Sequence, residues 1–500
     1  MNVATLTLAY CYSSNTMSEQ QPLKVLVTLV SYGLSHEIYL HRLIQEYRSM
    51  SFRVDIVVCS NVEREVPVGV ELVVGMPEKN PWSLPFAHKK ILAERVDAYD
   101  LFIYSEDDTL IREEGMRAFL RALPAMHDDE IPGYIRYEEQ RDGTIRYCDA
   151  NGHYHWDSAS VVRRGDDTFA FFTNEHAAFY LLTQAQLRKA IASGGFLVPP
   201  HDGKYDLACS AATDPYTQCG FRKLVSISHL DQFLLHHLPN KYIGTRFGTH
   251  ESLMKRQVNT LLQCKEEGRI QAALIPVETR LFASWYSKDY YEPMRPEVVG
   301  EVPAESQQIL SIGCGSGEAE RWLAQRGAQV TAACLDGVIA SCAQSEGVEA
   351  LWGSWGEIKN QIGERRFDCL LLSNVLHLAP DPSAMLAECA ELLSHDGRCV
   401  ILVPNLGSIR SRMGKWRRDK RYLAIGDYTV SGTRQIGRGM LARWMKAAGL
   451  QVEKSHCLFA DRQAKLSRMT LHAGDDLLAS EFLVVGRKTI HGGNRRVYAV

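Results

Sequence analysis

Two short stretches of this sequence carry residue types that could do chemistry. The first lies in "AYDLFIYSEDDTLI", where an apolar run ends in Glu106, Asp107 and Asp108. Side chains alternate along a strand, so Glu106 and Asp108 are expected to face one point while Asp107 points elsewhere. Two carboxylates on one point suit a hard cation, Mg²⁺ or Mn²⁺, which offsets their repulsion and leaves positions open for phosphate oxygens. A diphosphate leaving group would be stabilised there as its charge develops. The second stretch is "ILSIGCGSG", which sets Gly313, Gly315 and Gly317 between an apolar strand and the helix pattern "EAERWLAQRG". Glycines there permit a tight turn and a close backbone approach by a ligand, with a helix N-terminus facing it.

Both stretches depend on elements that hold them in place. "KVLVTLVSYG", "FRVDIVVCSN" and "DLFIYSEDD" read as buried strands, separated by the helical spacings of "HEIYLHRLIQEYRSM" and "FAHKKILAERVDAY". Such alternation predicts an α/β sheet of parallel strands, with ligands gathering at the strands' carboxyl ends. Residues 130–250 are turn-rich and expected to form a less regular lobe on that sheet. "AFYLLTQAQLRKAIASGG" there reads as a strand running into a helix, and "HESLMKRQVNTLLQCKEEG" as a closing helix. A second alternation runs from "ILSIGCGSG" through "AQVTAACLD", "FDCLLLSNVLHL" and "GRCVILVPN" to "SEFLVVGRK".

The chain has 500 residues, too many for one core. The expected division is a disordered extension 1–21, a first domain 22–265, a linker 266–290, a second domain 291–490 and a mobile tail 491–500. A hydrophobic share of 45%, a charged share of 23% and a net charge of −3 describe a globular protein with no general affinity for nucleic acid. The 13 cysteines are scattered without a CxxC pair, as reduced thiols of a cytoplasmic protein would be. No apolar run is long enough to span a membrane. The basic run "SIRSRMGKWRRDKRY" (408–422) reads as a solvated helix over a site or as a contact for an anionic acceptor, and leaves room for peripheral membrane contact.

The glycine turn, "FDCLLLSNVLHL", "LLSHDGRCVILVPN" and "GRGMLARWMKAAGLQVE" occur in an order that resembles the class I S-adenosylmethionine-dependent methyltransferases. That resemblance, over roughly residues 285–487, implies a seven-stranded, mostly parallel sheet with S-adenosyl-L-methionine across the carboxyl ends of its first strands. Gly313, Gly315, Gly317 and Asn374 would contact the cofactor. The family's usual acidic positions hold Ser311, Cys334 and Ser354 here, and Asp336 is the nearby carboxylate that could meet the ribose. His377 is the candidate base, needed if the acceptor is a hydroxyl.

The acidic triplet after alternating strands and helices resembles the DxD signature of the GT-A glycosyltransferases, over roughly residues 22–250. This implies a Rossmann-like mixed sheet, a nucleotide-sugar donor and a divalent metal. A late histidine would complete the metal site with Glu106 and Asp108: His237, ahead of His236 and His229. Asp214 is the preferred catalytic base, with Asp206 and Glu175 as alternatives, and Lys89 could meet the donor's phosphates. Together these readings describe a bifunctional glycosyltransferase and methyltransferase of glycan or surface-polysaccharide biosynthesis, with a glycan or glycolipid acceptor. Two rivals keep one activity each: a glycosyltransferase with a non-catalytic methyltransferase-like scaffold, or a methyltransferase with a substrate-binding first module.

Overall fold

The computed structural model describes residues 21–489 except 244, 246, 269–271, 283, 345–346, 461–462, 466 and 468–473. The expected extension up to residue 20 and the tail 491–500 therefore lie outside the described residues.

The first half is built on a five-stranded sheet ordered Phe179–Thr183, Leu101–Glu106, Lys24–Ser31, Arg53–Ser60, Val70–Val74. The last four strands run parallel, and Phe179–Thr183 lies antiparallel along the edge of Leu101–Glu106. Lys24–Ser31 is central and buried from Val25 onward, which explains its unbroken apolar sequence. Helix Glu37–Ser49 packs Leu40, Leu43, Ile44 and Tyr47 inward, the stripe that its spacing predicts. Thr183 ends the edge strand and caps helix Gln184–Ala192, exchanging hydrogen bonds with Gln186 in a capping box.

Residues 130–250 are more regular than their composition suggests. They supply two further sheets, one ordered Glu130–Pro132, Arg222–Ser226, Asp167–Phe172, Trp156–Arg164. The other is ordered Thr249–His250, Ile145–Tyr147, Ile135–Glu139, Leu234–His237, Thr109–Leu110. Apart from Trp156–Arg164 and Asp167–Phe172, these strands run two to five residues and leave no readable alternation, so cross-strand partners far away in sequence define them.

The second half is one seven-stranded sheet, ordered Glu349–Leu351, Gln329–Cys334, Gln308–Cys314, Phe367–Ser373, Leu393–Pro404, Glu481–Lys488, Leu450–Leu458. Glu481–Lys488 runs antiparallel to both neighbours, and the first five strands are parallel. The described cysteines, Cys59 to Cys457, form no disulfide with one another.

The segment expected to be a linker is a structural part of this half. Leu274, Ile275, Val277 and Tyr290 are buried in one core with Leu310, Ile312, Leu335 and Leu376. The Leu274 N–H donates to the Leu335 carbonyl at 2.9 Å, beyond the end of strand Gln329–Cys334. The segment's apolar residues make it part of that core and not a linker between two domains. Helix Glu251–Glu266 of the first half packs on Gly337–Gln344 of the second, where Tyr291 donates to Gln257 at 3.2 Å.

Candidate functional site

Strand Gln308–Cys314 delivers the glycine turn to the carboxyl edge of the second sheet. Gly313 and Gly317 have φ of 83° and 88°, where a Cβ is strained, and Gly317 caps helix Glu318–Gln325. A Cβ on Gly315 would collide with the Tyr290 carbonyl, which accepts from the Ser316 N–H at 2.8 Å. Behind the turn lies a cavity of about 30 Å³, walled by Lys288, Glu292, Ser311, Gly313, Glu320 and Ser373. Glu320 is buried, and its Oε1 accepts from the Ser311 hydroxyl at 2.5 Å. Lys288 pairs with Glu292 and donates to the Ser373 carbonyl at 2.9 Å. Asn374, at φ 53°, turns its amide toward Glu292 at 3.3 Å and Glu481 at 3.4 Å.

Residues 282–455 match a family model described as "Methyltransferase domain". A ubiquinone biosynthesis O-methyltransferase of Xylella fastidiosa is 29% identical over 177 residues, 32% of this chain and 68% of that protein. Its counterpart in Xanthomonas axonopodis pv. citri is 28% identical over 171 residues, 32% of this chain and 70% of that protein. Among solved structures, an S-adenosylmethionine-dependent methyltransferase from Mesorhizobium loti has 20% identity, covers 39% of this chain and 96% of its own, and gives a TM-score of 0.30. The second half of this chain is a class I S-adenosylmethionine-dependent methyltransferase domain.

In the methyltransferase domain, Gly313, Gly315 and Gly317 meet where the cofactor is expected, but other expected contacts are otherwise engaged. Asp336 accepts from Tyr290 Oη at 2.8 Å and from the Val338 and Ile339 N–H groups at 2.8 and 2.9 Å. It caps helix Gly337–Gln344, so the carboxylate expected to meet a ribose already accepts three hydrogen bonds. Ser354 is likewise a helix cap, in a capping box with Glu357. His377 is 1% exposed, and burial pushes its pKa down to about 4. Its Nε2 donates to the Tyr286 carbonyl at 2.7 Å. A neutral, enclosed imidazole of that pKa is a poor base, which corrects the role expected of it. The residue that pattern reading missed is Glu320. Its signal was a glutamate on the inward stripe of the first helix after the turn, with Leu323 buried one turn on.

The cavity beside the glycine turn is where one end of the cofactor would sit. Its volume admits a group the size of one water molecule, with a buried carboxylate on its wall, and this suits the ammonium of an amino-acid moiety. Glu320 and the glycine-turn backbone would hold that end of S-adenosylmethionine.

In the first half, strand Leu101–Glu106 stops at Glu106, and Asp107 and Asp108 form the turn into Thr109–Leu110. Alternation does not carry through a turn, but Glu106 still lies close enough to Asp108 to feel its charge. Ligand atoms of His36, Asp107 and Asp108 lie within 4.8 Å of one another. His36 Nδ1 is 2.9 Å from Asp107 and 3.6 Å from Asp108. His237 stands outside that triplet, 3.5 Å from Asp108, with its other nitrogen 2.6 Å from Glu138. Strand pairing puts it there, since His237 faces Thr109 across an antiparallel ladder.

The charges in this cluster are mutually adjusted. Burial raises the Asp107 pKa against the opposing hydrogen bonds of His36 and Ser31. Burial also works on Asp108, but His237, Arg136 and His36 outweigh it and hold the carboxyl below its usual range. Burial would lower His237, yet Asp108 and Glu138 push it up to about 8. Glu106, at the strand end, is raised to about 7 by burial and then by Asp108. His36 gave no pattern signal beyond its place just after the first strand; the fold brings that loop beside the acidic turn.

Asp214 lies fully buried on helix Leu207–Thr217, ion-paired to Lys89 and 3.0 Å from His201 Nε2. An enclosed carboxylate neutralised by a buried lysine cannot reach an acceptor hydroxyl, so neither Asp214 nor Lys89 fills the role expected of it. Asp206 caps the same helix. Glu175 remains accessible in part and accepts from Tyr205 Oη at 2.6 Å and Lys204 Nζ at 3.0 Å.

Proposed function

We propose that this chain is a two-site transferase whose second half methylates a hydroxyl and whose first half is a metal-dependent GT-A glycosyltransferase. The observation that carries the methylation reading is the cavity behind the glycine turn, walled by Glu320 and Ser311. S-adenosylmethionine supplies an electrophilic methyl group. Transfer then depends chiefly on holding donor and acceptor in line. Oxygen as the acceptor atom follows the similarity to the O-methyltransferases of Xylella and Xanthomonas. With His377 neutral and enclosed, acceptors whose hydroxyl ionises readily are favoured.

The glycosyltransferase reading rests on the three-residue group His36, Asp107 and Asp108 at the carboxyl end of a parallel sheet. A divalent cation there would bind a nucleotide sugar's diphosphate, with Glu175 as the accessible candidate for the acceptor side. Glycan or surface-polysaccharide assembly is the setting this reading favours.

The test is a donor screen followed by mass spectrometry, with and without Mn²⁺ and S-adenosylmethionine. Methylated product from a panel of phenols and sugars supports the second site, and none from any acceptor refutes it. Metal-dependent hydrolysis or transfer of a nucleotide sugar supports the first site. Its absence across the panel leaves the first half as a binding module.

A further inference from the structure

The basic run after strand Leu393–Pro404 presents its apolar side chains outward. Helix Ile409–Trp416 buries Ser411 and Gly414, with Gly414 so close to the Tyr422 ring that a Cβ would collide with it. Ile409, Met413 and Trp416, at i, i+4 and i+7, form one stripe on the exposed side, 41%, 42% and 82% accessible. Leu423 and Val430 extend it at 55% and 54%. A surface helix ordinarily turns such a stripe to the core. Here the core contact is made by two small residues, and the apolar stripe has no partner among the described residues.

Positive charge dominates around the stripe, where Asp419 and Asp427 are the acids between Ile409 and Val430. Residues 409–423 hold seven lysines and arginines against the single acid Asp419. Asp419 is taken by Arg421 at 2.6 Å. Arg412, Arg417, Arg418 and Lys420 are exposed with no carboxylate partner among the described residues. The chain as a whole carries a net charge of −3, so this patch is a local inversion.

We propose that this face is a peripheral docking surface for an anionic lipid bilayer. An indole beside aliphatic side chains suits the boundary between headgroups and acyl chains, and lysines and arginines around it meet anionic headgroups. A nucleic-acid backbone would satisfy the cations but offer nothing to Ile409, Met413, Leu423 and Val430. No helix among the described residues is long and apolar enough to cross a membrane, so the contact is superficial. The chain just beyond the patch is tied to the segment after Val375, which packs on Gly313 of the glycine turn: the Arg434 N–H donates to the His377 carbonyl at 2.7 Å, and Tyr428 Oη to the Leu378 carbonyl at 3.2 Å. The docking surface itself does not depend on which acceptor is methylated.

The test is co-sedimentation of the full chain with vesicles of phosphatidylcholine alone or with added phosphatidylglycerol. Binding is expected to the anionic vesicles, weakened by salt. Arg417→Ala with Arg418→Ala should weaken it on the order of tenfold. Trp416→Ser with Met413→Ser should weaken it comparably, with an unchanged circular dichroism spectrum showing that the fold is kept. Brominated lipid should quench wild-type fluorescence more than that of Trp416→Phe. No binding, equal binding to neutral and anionic vesicles, wild-type binding by both double variants, or preference for duplex DNA over anionic vesicles would each overturn the proposal.

Discussion

Glu320 and Ser311 share a 2.5 Å hydrogen bond on the wall of the cavity behind the glycine turn. The carboxylate absent from position 311 is thus supplied from the following helix. If it receives the cofactor's ammonium, Glu320→Gln keeps the shape and removes the charge. Affinity for S-adenosylmethionine, measured by calorimetry on the full chain, should fall about tenfold, the scale of one charge-assisted hydrogen bond. Unchanged affinity in the variant would sink the assignment, whereas no binding by the wild type would sink the methylation reading itself.

Tyr290 joins the two halves through one residue. Its N–H donates to the Gly152 carbonyl at 2.7 Å, its ring stacks on His155 at 4.5 Å, and its hydroxyl reaches Asp336 at 2.8 Å. Tyr290→Phe removes the last of these contacts from a buried carboxylate, at a cost of about 1–3 kcal/mol. Thermal unfolding should begin earlier, and trypsin should cut within residues 272–292 faster than in the wild type. Identical melting and digestion would show that the contact adds nothing.

The two candidate ligand sets in the first half make opposite predictions. If His36, Asp107 and Asp108 hold the cation, Mn²⁺ should raise the melting temperature of the wild type and of Glu106→Gln. It should leave His36→Gln and Asp107→Asn unmoved. A Mn²⁺ response that survives Asp107→Asn but vanishes in Glu106→Gln would restore the set predicted by alternation.

His377 should make stability acid-sensitive. Its folded pKa, about 4, lies below the ordinary histidine value, so between the two the unfolded chain binds the proton and the folded chain does not. Stability is therefore lost as pH falls from about 6.5 toward 4, by roughly 3 kcal/mol in all. Urea unfolding at stepped pH should show this limb, and His377→Gln should flatten it. A limb of equal depth in the variant would assign it to other groups.

Local pattern determined the outline of this protein. The apolar runs at Lys24–Ser31 and Gln308–Cys314 are buried on both faces, and their sequences say so because no polar alternation is needed there. The glycines of the turn are equally legible, since two of them need positive φ and the third has a carbonyl against it. Which carboxylate faces which partner was decided only by the fold. Asp336 sits at the right sequence distance but caps a helix, while Glu320 is nine residues past Ser311 and one helical turn brings it back. His36 and Asp107 are 71 residues apart and meet because parallel strands Lys24–Ser31 and Leu101–Glu106 are neighbours. Spacing along a chain fixes which face a side chain takes within one element. Contacts between elements depend on strand order and on where each strand stops, and neither is written in the residues on either side.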